Sequence, residues 1–235
     1  CIRDRKKGKP PEKNIGEVDK PVSSKVYLVD KPDAPQSVIV AAHLSRPGGQ
    51  PEDLEMETVM RLFGGMSTSR LNRNLRLDKH WSYGVRGMLL DARGPRPFAV
   101  IAPVQSDKTK ESMVEILEEI RGIAGDRPVV GEEFESIRRN MVLRLPGRFE
   151  TLGSLESAAL DLVNYGYPPE YFYEYAANVR RLSESDLNSA AAGFIRPDEL
   201  TWVVIGDLAR IEESVRELGF GEPVRLDAAG RPVGE

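Results

Sequence analysis

Short apolar runs rich in β-branched residues fill "KVYLVD" and again "QSVIVAAHLS", separated by a turn-forming "KPDAP". This predicts a short strand followed by a longer one at residues 36–45. The pattern then lengthens to helical spacing. "PGGQPEDLEMETVMRLFGG" reads as a helix of about three turns, entered through a Pro/Gly turn and stopped by Gly64 and Gly65. A second helix is expected over about Ser67–Leu77. Two strands, Ser82–Ala92 and Arg96–Gln105, follow it as a hairpin closed by "RGP".

From residue 107 the helical period dominates. Met113, Ile116, Leu117 and Ile120 make one stripe, and Phe134, Ile137, Met141 and Leu145 make another. Pro146 and Gly147 kink or end that helix. Leu155, Ala159, Leu162 and Val163 make the next stripe, and helices at about 168–180 and 184–193 precede a clear strand, "LTWVVIGD". A last helix, 208–218, ends at Gly219, and "EPVRLDAAGRP" closes the chain. Strands, helices, hairpin, a block of helices, strand, helix: this order predicts an α+β fold, a mainly antiparallel sheet covered on one side by helices. Residues 1–20 hold seven Lys or Arg and few apolar residues. They read as a flexible basic linker or tail, leaving 21–235 as a single domain.

Composition narrows the function classes. A formal net charge of −4 gives no support to a nucleic-acid partner. No apolar run reaches the roughly 18 residues of a membrane span. The one cysteine, Cys1, forms no internal disulfide and leaves the compartment open, with the bacterial periplasm slightly favoured over the cytoplasm. A start at Cys1 reads as a fragment of a longer polypeptide, with a processed lipoprotein terminus as the alternative.

The usual catalytic patterns are missing. The two histidines, His43 and His80, lie in different elements, and neither H-E-x-x-H nor H-x-x-E-H occurs. His43 reads as a strand residue and His80 as an exposed turn residue. There is no G-x-S-x-G, no Walker loop and no dinucleotide fingerprint. The carboxylates of "EILEE" and "GEEFE" have the spacing of a solvated helix face. Trp81 and Trp202 read as core or rim aromatics.

One segment carries more. "LFGGMSTSRLNRNLRLDKHWSYGV" strongly resembles a stretch of the pitrilysin/insulinase-type zinc metallopeptidases, which include the mitochondrial processing peptidase. In that family a helix, a Gly-Gly turn and a second helix of the form S-R-L-x-x-x-L-R lead into a Tyr-Gly that begins a strand. The similarity extends from about Lys25 through "LTWVVIGDL" to the "LDAAGRPV" tail common in bacterial members.

The resemblance implies a two-part enzyme. One half carries zinc on an inverse motif. The other, zinc-free half supplies an Arg/Tyr pair that reaches the substrate. This sequence has no zinc motif and has the pair, Arg76 and Tyr83, seven residues apart. The expectation is therefore a zinc-free, C-terminal half with no cofactor or metal of its own, inactive alone. Its expected partners are a zinc-bearing homologous half, on the same chain or another, and extended peptide substrates. Peptide hydrolysis passes through a tetrahedral oxyanion that needs donors besides the metal, and a phenol O–H can be one. An arginine offers a planar fork to a substrate carbonyl or carboxylate. The plain alternative is a strand-edge tyrosine and a helix-end cation. Gly64 and Gly65 are either a helix stop with positive φ or a flexible substrate-binding loop. Two rival functions stay open: a non-catalytic assembly subunit related to respiratory-complex core proteins, and a stand-alone peptide-binding module.

Overall fold

The structure, a computed structural model, describes residues 23–92 and 94–233 together with positions 8, 14, 16 and 18. The tail expected over 1–20 thus falls almost wholly outside the described residues.

Among the described residues six strands form one sheet: β1 (Lys25–Asp30), β2 (Gln36–Pro47), β3 (Arg86–Leu89), β4 (Pro95–Gln105), β5 (Thr201–Gly206) and β6 (Val224–Leu226). Their order across the sheet is β3-β4-β2-β5-β1-β6. β2 pairs antiparallel with β4 and β5, and β3 with β4, while β1 runs parallel to β5 and β6. The sheet is mixed with antiparallel pairings in the majority. Each strand alternates, so Val26, Leu28, Ile39, Ala41, Phe98, Val100, Trp202 and Val204 point to one face and are buried there.

Among the described residues eight α-helices accompany the sheet: α1 (Asp53–Met60), α2 (Arg70–Asn72), α3 (Thr109–Arg121), α4 (Gly131–Arg144), α5 (Leu152–Tyr165), α6 (Tyr171–Arg181), α7 (Glu184–Phe194) and α8 (Leu208–Arg216). Met56, Val59 and Phe63 of the α1 region, Met113, Ile116 and Ile120 of α3, and Leu187, Ala191 and Phe194 of α7 meet the sheet residues in one hydrophobic core. The 3.6-residue spacing of these positions is what makes each helix one-sided. The predicted α+β architecture is the one observed.

Several details differ from the sequence expectation. β3 is only Arg86–Leu89, because Ser82–Val85 is held by side chains rather than by a ladder. "VRL" forms a sixth strand that its own pattern did not suggest, paired to β1. Within "EILEE", Glu119 is 5% exposed, not on the surface. Arg127 lies 2.9 Å from its carboxylate and Asn74 donates to it at 2.9 Å, which offsets its desolvation.

Gly64 is needed for packing. α1 continues into a π-helical turn, Arg61–Gly65, that closes against β3. Neither Gly64 nor Gly65 has positive φ, so the left-handed helix stop read from the sequence does not form. Instead, a Cβ at Gly64 would stand 2.2 Å from the Gly87 nitrogen and 2.4 Å from its Cα. Backbone cannot rotate away from such a clash. Gly64→Ala should therefore cost about 3 kcal/mol of unfolding free energy, measured by urea denaturation, as overpacking against a rigid neighbour does.

Candidate functional site

Leu71 and Leu75 are fully buried and fix α2, with the π-helical turn Arg73–Asp78 that continues it, against the core. Arg76 falls between them and the exit, on the solvent side. The chain then reverses sharply. His80 adopts φ 59°, its Nδ1–H donates to the Arg76 carbonyl at 3.1 Å, and the amides of Trp81 and Ser82 both donate to the Leu75 carbonyl. His80 is exposed, as expected of a turn residue, and His43 lies within β2 stacked on Phe98 at 4.7 Å.

The return is tied as firmly. The Gln105 side chain donates to the His80 carbonyl at 3.1 Å, and the Ser82 hydroxyl donates to Pro103 at 2.6 Å. Asn72 takes the place of a strand neighbour: its Oδ1 accepts from Val85 N at 2.9 Å and its Nδ2 donates to Val85 O at 2.8 Å. Trp81 is half-buried under the ammonium groups of Lys79 and Lys108, 5.1 and 5.8 Å from its ring. Trp202 is a core residue, 1% exposed.

On this braced connection two side chains are left over. Tyr83 is 90% exposed. Arg76 is exposed too, and among the described residues neither its guanidinium nor the Tyr83 hydroxyl meets a hydrogen-bond or ion-pair partner. Both line one open cavity of about 490 Å³, with His80, Trp81 and Gln105 in its wall. Rigid backbone beneath two unengaged polar tips is an arrangement suited to holding an extended chain by its carbonyls. Gly64 and Gly65 do not join it. Gly64 is buried, and Gly65 borders a different cavity.

That second cavity, about 510 Å³, escaped the sequence reading. It lies by Arg96 near the start of β4, whereas the first lies by Gln105 at its end, roughly 30 Å along the strand. At its floor Arg96 and Asp53 form an ion pair at 2.7 Å whose side chains are 6% and 7% exposed. The other Asp53 oxygen accepts from Gly49 N at 2.7 Å, Gln50 N at 3.2 Å and the Tyr167 hydroxyl at 2.7 Å. Tyr167 stacks on Tyr171 at 4.3 Å, and Tyr175 donates to Glu57 at 3.1 Å. Burial, with the neighbouring carboxylates, pushes the Tyr167 and Tyr175 phenols up, so both stay neutral donors. Burial likewise raises Asp91. The aromatic density of "NYGYPPEYFYEY" was the available signal.

A catalytic zinc does not fit these residues. Among the described residues no three His, Cys, Asp or Glu side chains converge as a metal site. Asp53 and Glu57, a turn apart on α1, are already occupied by Arg96 and Arg61 and by the tyrosine hydroxyls. No helix among the described residues is long and apolar enough to cross a membrane.

Known proteins share this fold. The chain is similar to a peptidase M16 inactive domain from Pseudomonas fluorescens, with a TM-score of 0.74 and 15% identity, over 84% of this chain and 47% of that one. It is similar to a periplasmic protease from Escherichia coli, with a TM-score of 0.64 and 13% identity, over 78% of this chain and 20% of that one. It is also similar to a chain of complex III from Candida albicans, with a TM-score of 0.64 and 10% identity, over 84% and 49%. The chain thus spans less than half the length of each. No curated protein matches it by sequence. The family model described as the peptidase M16 inactive domain matches residues 3–141. With that match over more than half its length, on a sheet and helix arrangement the solved relatives share, the chain belongs to the peptidase M16 inactive-domain family.

Proposed function

We propose that this chain is the zinc-free half of a two-part zinc peptidase, that it binds extended peptide, and that it supplies Arg76 and Tyr83 to an active site completed by a zinc-bearing half. The observation that carries the reading is that Arg76 and Tyr83 share one cavity on a rigid connection, both without a partner among the described residues. Polar tips held this way cost little to expose and are free to meet a substrate. Zinc on the companion half would supply the activated water. This chain's residues bind and orient. Arg76 engages a peptide carbonyl or a terminal carboxylate, and Tyr83 donates its phenol proton to the carbonyl oxygen as negative charge develops there. A bacterial periplasmic location goes with the reading, as for the E. coli relative.

The test is reconstitution. The chain alone should not cleave an unstructured peptide, and mixing it with the zinc-bearing half should produce cleavage that neither half shows alone. In the mixture Arg76→Lys keeps the charge and loses the planar fork. It should raise KM about tenfold with a smaller fall in kcat, read from steady-state kinetics.

A second reading has its own observation. The likeness to a complex III chain fits a non-catalytic assembly subunit. In that case a stable complex would form with no cleavage at all. The unengaged Arg76 and Tyr83 favour the peptidase reading, because an assembly role has no use for two free tips over an open cavity.

A further inference from the structure

We propose that the exposed side of α5 is the surface on which the zinc-bearing half docks, through an apolar face of its own. The inference rests on the two-half reading above. Helix α5 leaves an apolar stripe in solvent. The side facing the domain carries Ser154, Ala158, Asp161, Leu162 and Tyr165, of which only Ala158 is buried and the others are half-buried. The adjoining side carries Leu152, Leu155, Ala159 and Val163 at helical spacing. Leu152, Leu155 and Val163 are 86%, 45% and 72% exposed. A surface helix ordinarily buries such a stripe and shows its polar side to water. Of the thirteen large apolar side chains exposed among the described residues, six lie between Leu143 and Tyr173. An apolar concentration of this kind marks an interaction surface.

The stripe is also a fixed surface. Thr151 and Ser154 close a reciprocal cap at the start of α5, and Gly166, at φ 69°, ends it. Its charges are few. Asp161 is engaged by Arg148 at 2.9 Å, which leaves Glu156 as the one free carboxylate on the helix, so covering the stripe strands little charge.

The occupant follows from the relatives and from that charge. The likenesses cover 84% of this chain but only 47% and 49% of two solved chains, so a body of similar size accompanies this fold in each. Two such bodies joined in one protein meet over roughly 600–1,500 Å². A second copy of this chain is a poorer occupant. Antiparallel pairing of two α5 helices would set their Glu156 carboxylates close together near the helix centre. An extended peptide is poorer still, since a helix offers no free backbone edge for it to pair with.

Leu155→Gln with Val163→Gln tests the proposal, because both residues are exposed and glutamine keeps helix propensity. The dissociation constant for the zinc-bearing half, prepared as a separate chain from the same source, would be measured by calorimetry, alongside the melting temperature. Expected are binding by the unsubstituted chain, binding weaker by about tenfold or more in the double variant, and an unchanged melting temperature. Equal affinity in the two would overturn the docking proposal and leave the two-half reading standing. No binding by the unsubstituted chain would overturn both. A large fall in melting temperature, or loss of self-association with companion binding untouched, would show that the stripe packs within the domain or on a second copy, and would overturn the proposal.

Discussion

Asp53→Ala should destabilise the chain by about 3–5 kcal/mol, the usual consequence of removing one partner of a buried ion pair. The Asp53 carboxylate does four jobs at once. One oxygen pairs with Arg96, and the other accepts from two backbone amides and from Tyr167. Its loss leaves the Arg96 guanidinium with only the Arg46 carbonyl, in a position almost closed to water. It also strands a phenol whose proton cannot be given up instead, because burial and nearby carboxylates hold that group above its ordinary range. Urea denaturation would measure the change. The sign of a second experiment separates charge from packing. Replacing both partners, as Asp53→Leu with Arg96→Met, should recover a large part of the loss, because no uncompensated charge remains. If the double variant is as unstable as the single one, the amides and Tyr167 depend on the carboxylate more than Arg96 does.

The elements legible in the sequence are those whose information is local. "LTWVVIGD" announces β5 because it is a short run of aromatic and β-branched residues closed by Gly-Asp, and Trp202 and Val204 are buried in it. β6 was not legible, because three residues carry no period and the strand exists only through its pairing with β1. Gly64 could be seen as a punctuation mark, but its purpose depends on Gly87, which lies 23 residues on and reaches it only after β3 has folded back. Glu119 has the spacing of a solvated residue. What makes it a buried one is the arrival of Arg127 and Asn74 from elsewhere in the chain.

The candidate site divides along the same line. Arg76 and Tyr83 were found through a contiguous segment whose spacing resembles a family, and the fold brings both to one cavity. The Asp53–Arg96–Tyr167 cluster is drawn from α1, β4 and the α5–α6 connection, spread over 114 residues, with no spacing to search for. Only the run of tyrosines hinted at it.

Tyr83→Phe bears most directly on the proposed role of this chain. The substitution deletes one oxygen and keeps the ring. Because the side chain is 90% exposed and its hydroxyl meets no partner among the described residues, nothing inside the domain loses a hydrogen bond. If that hydroxyl donates to the developing oxyanion, kcat should fall about 10²–10³-fold, the ordinary cost of one such donor. KM should move little, since a donor that acts in the transition state adds little to ground-state binding. The measurement is kcat and KM of the variant mixed with the zinc-bearing half, on an unstructured peptide, beside its melting temperature. The expected result is that loss of turnover with the melting temperature unchanged. Full turnover with a clearly lowered melting temperature would contradict it, and would make Tyr83 a packed aromatic on an ordinary connection between helix and strand.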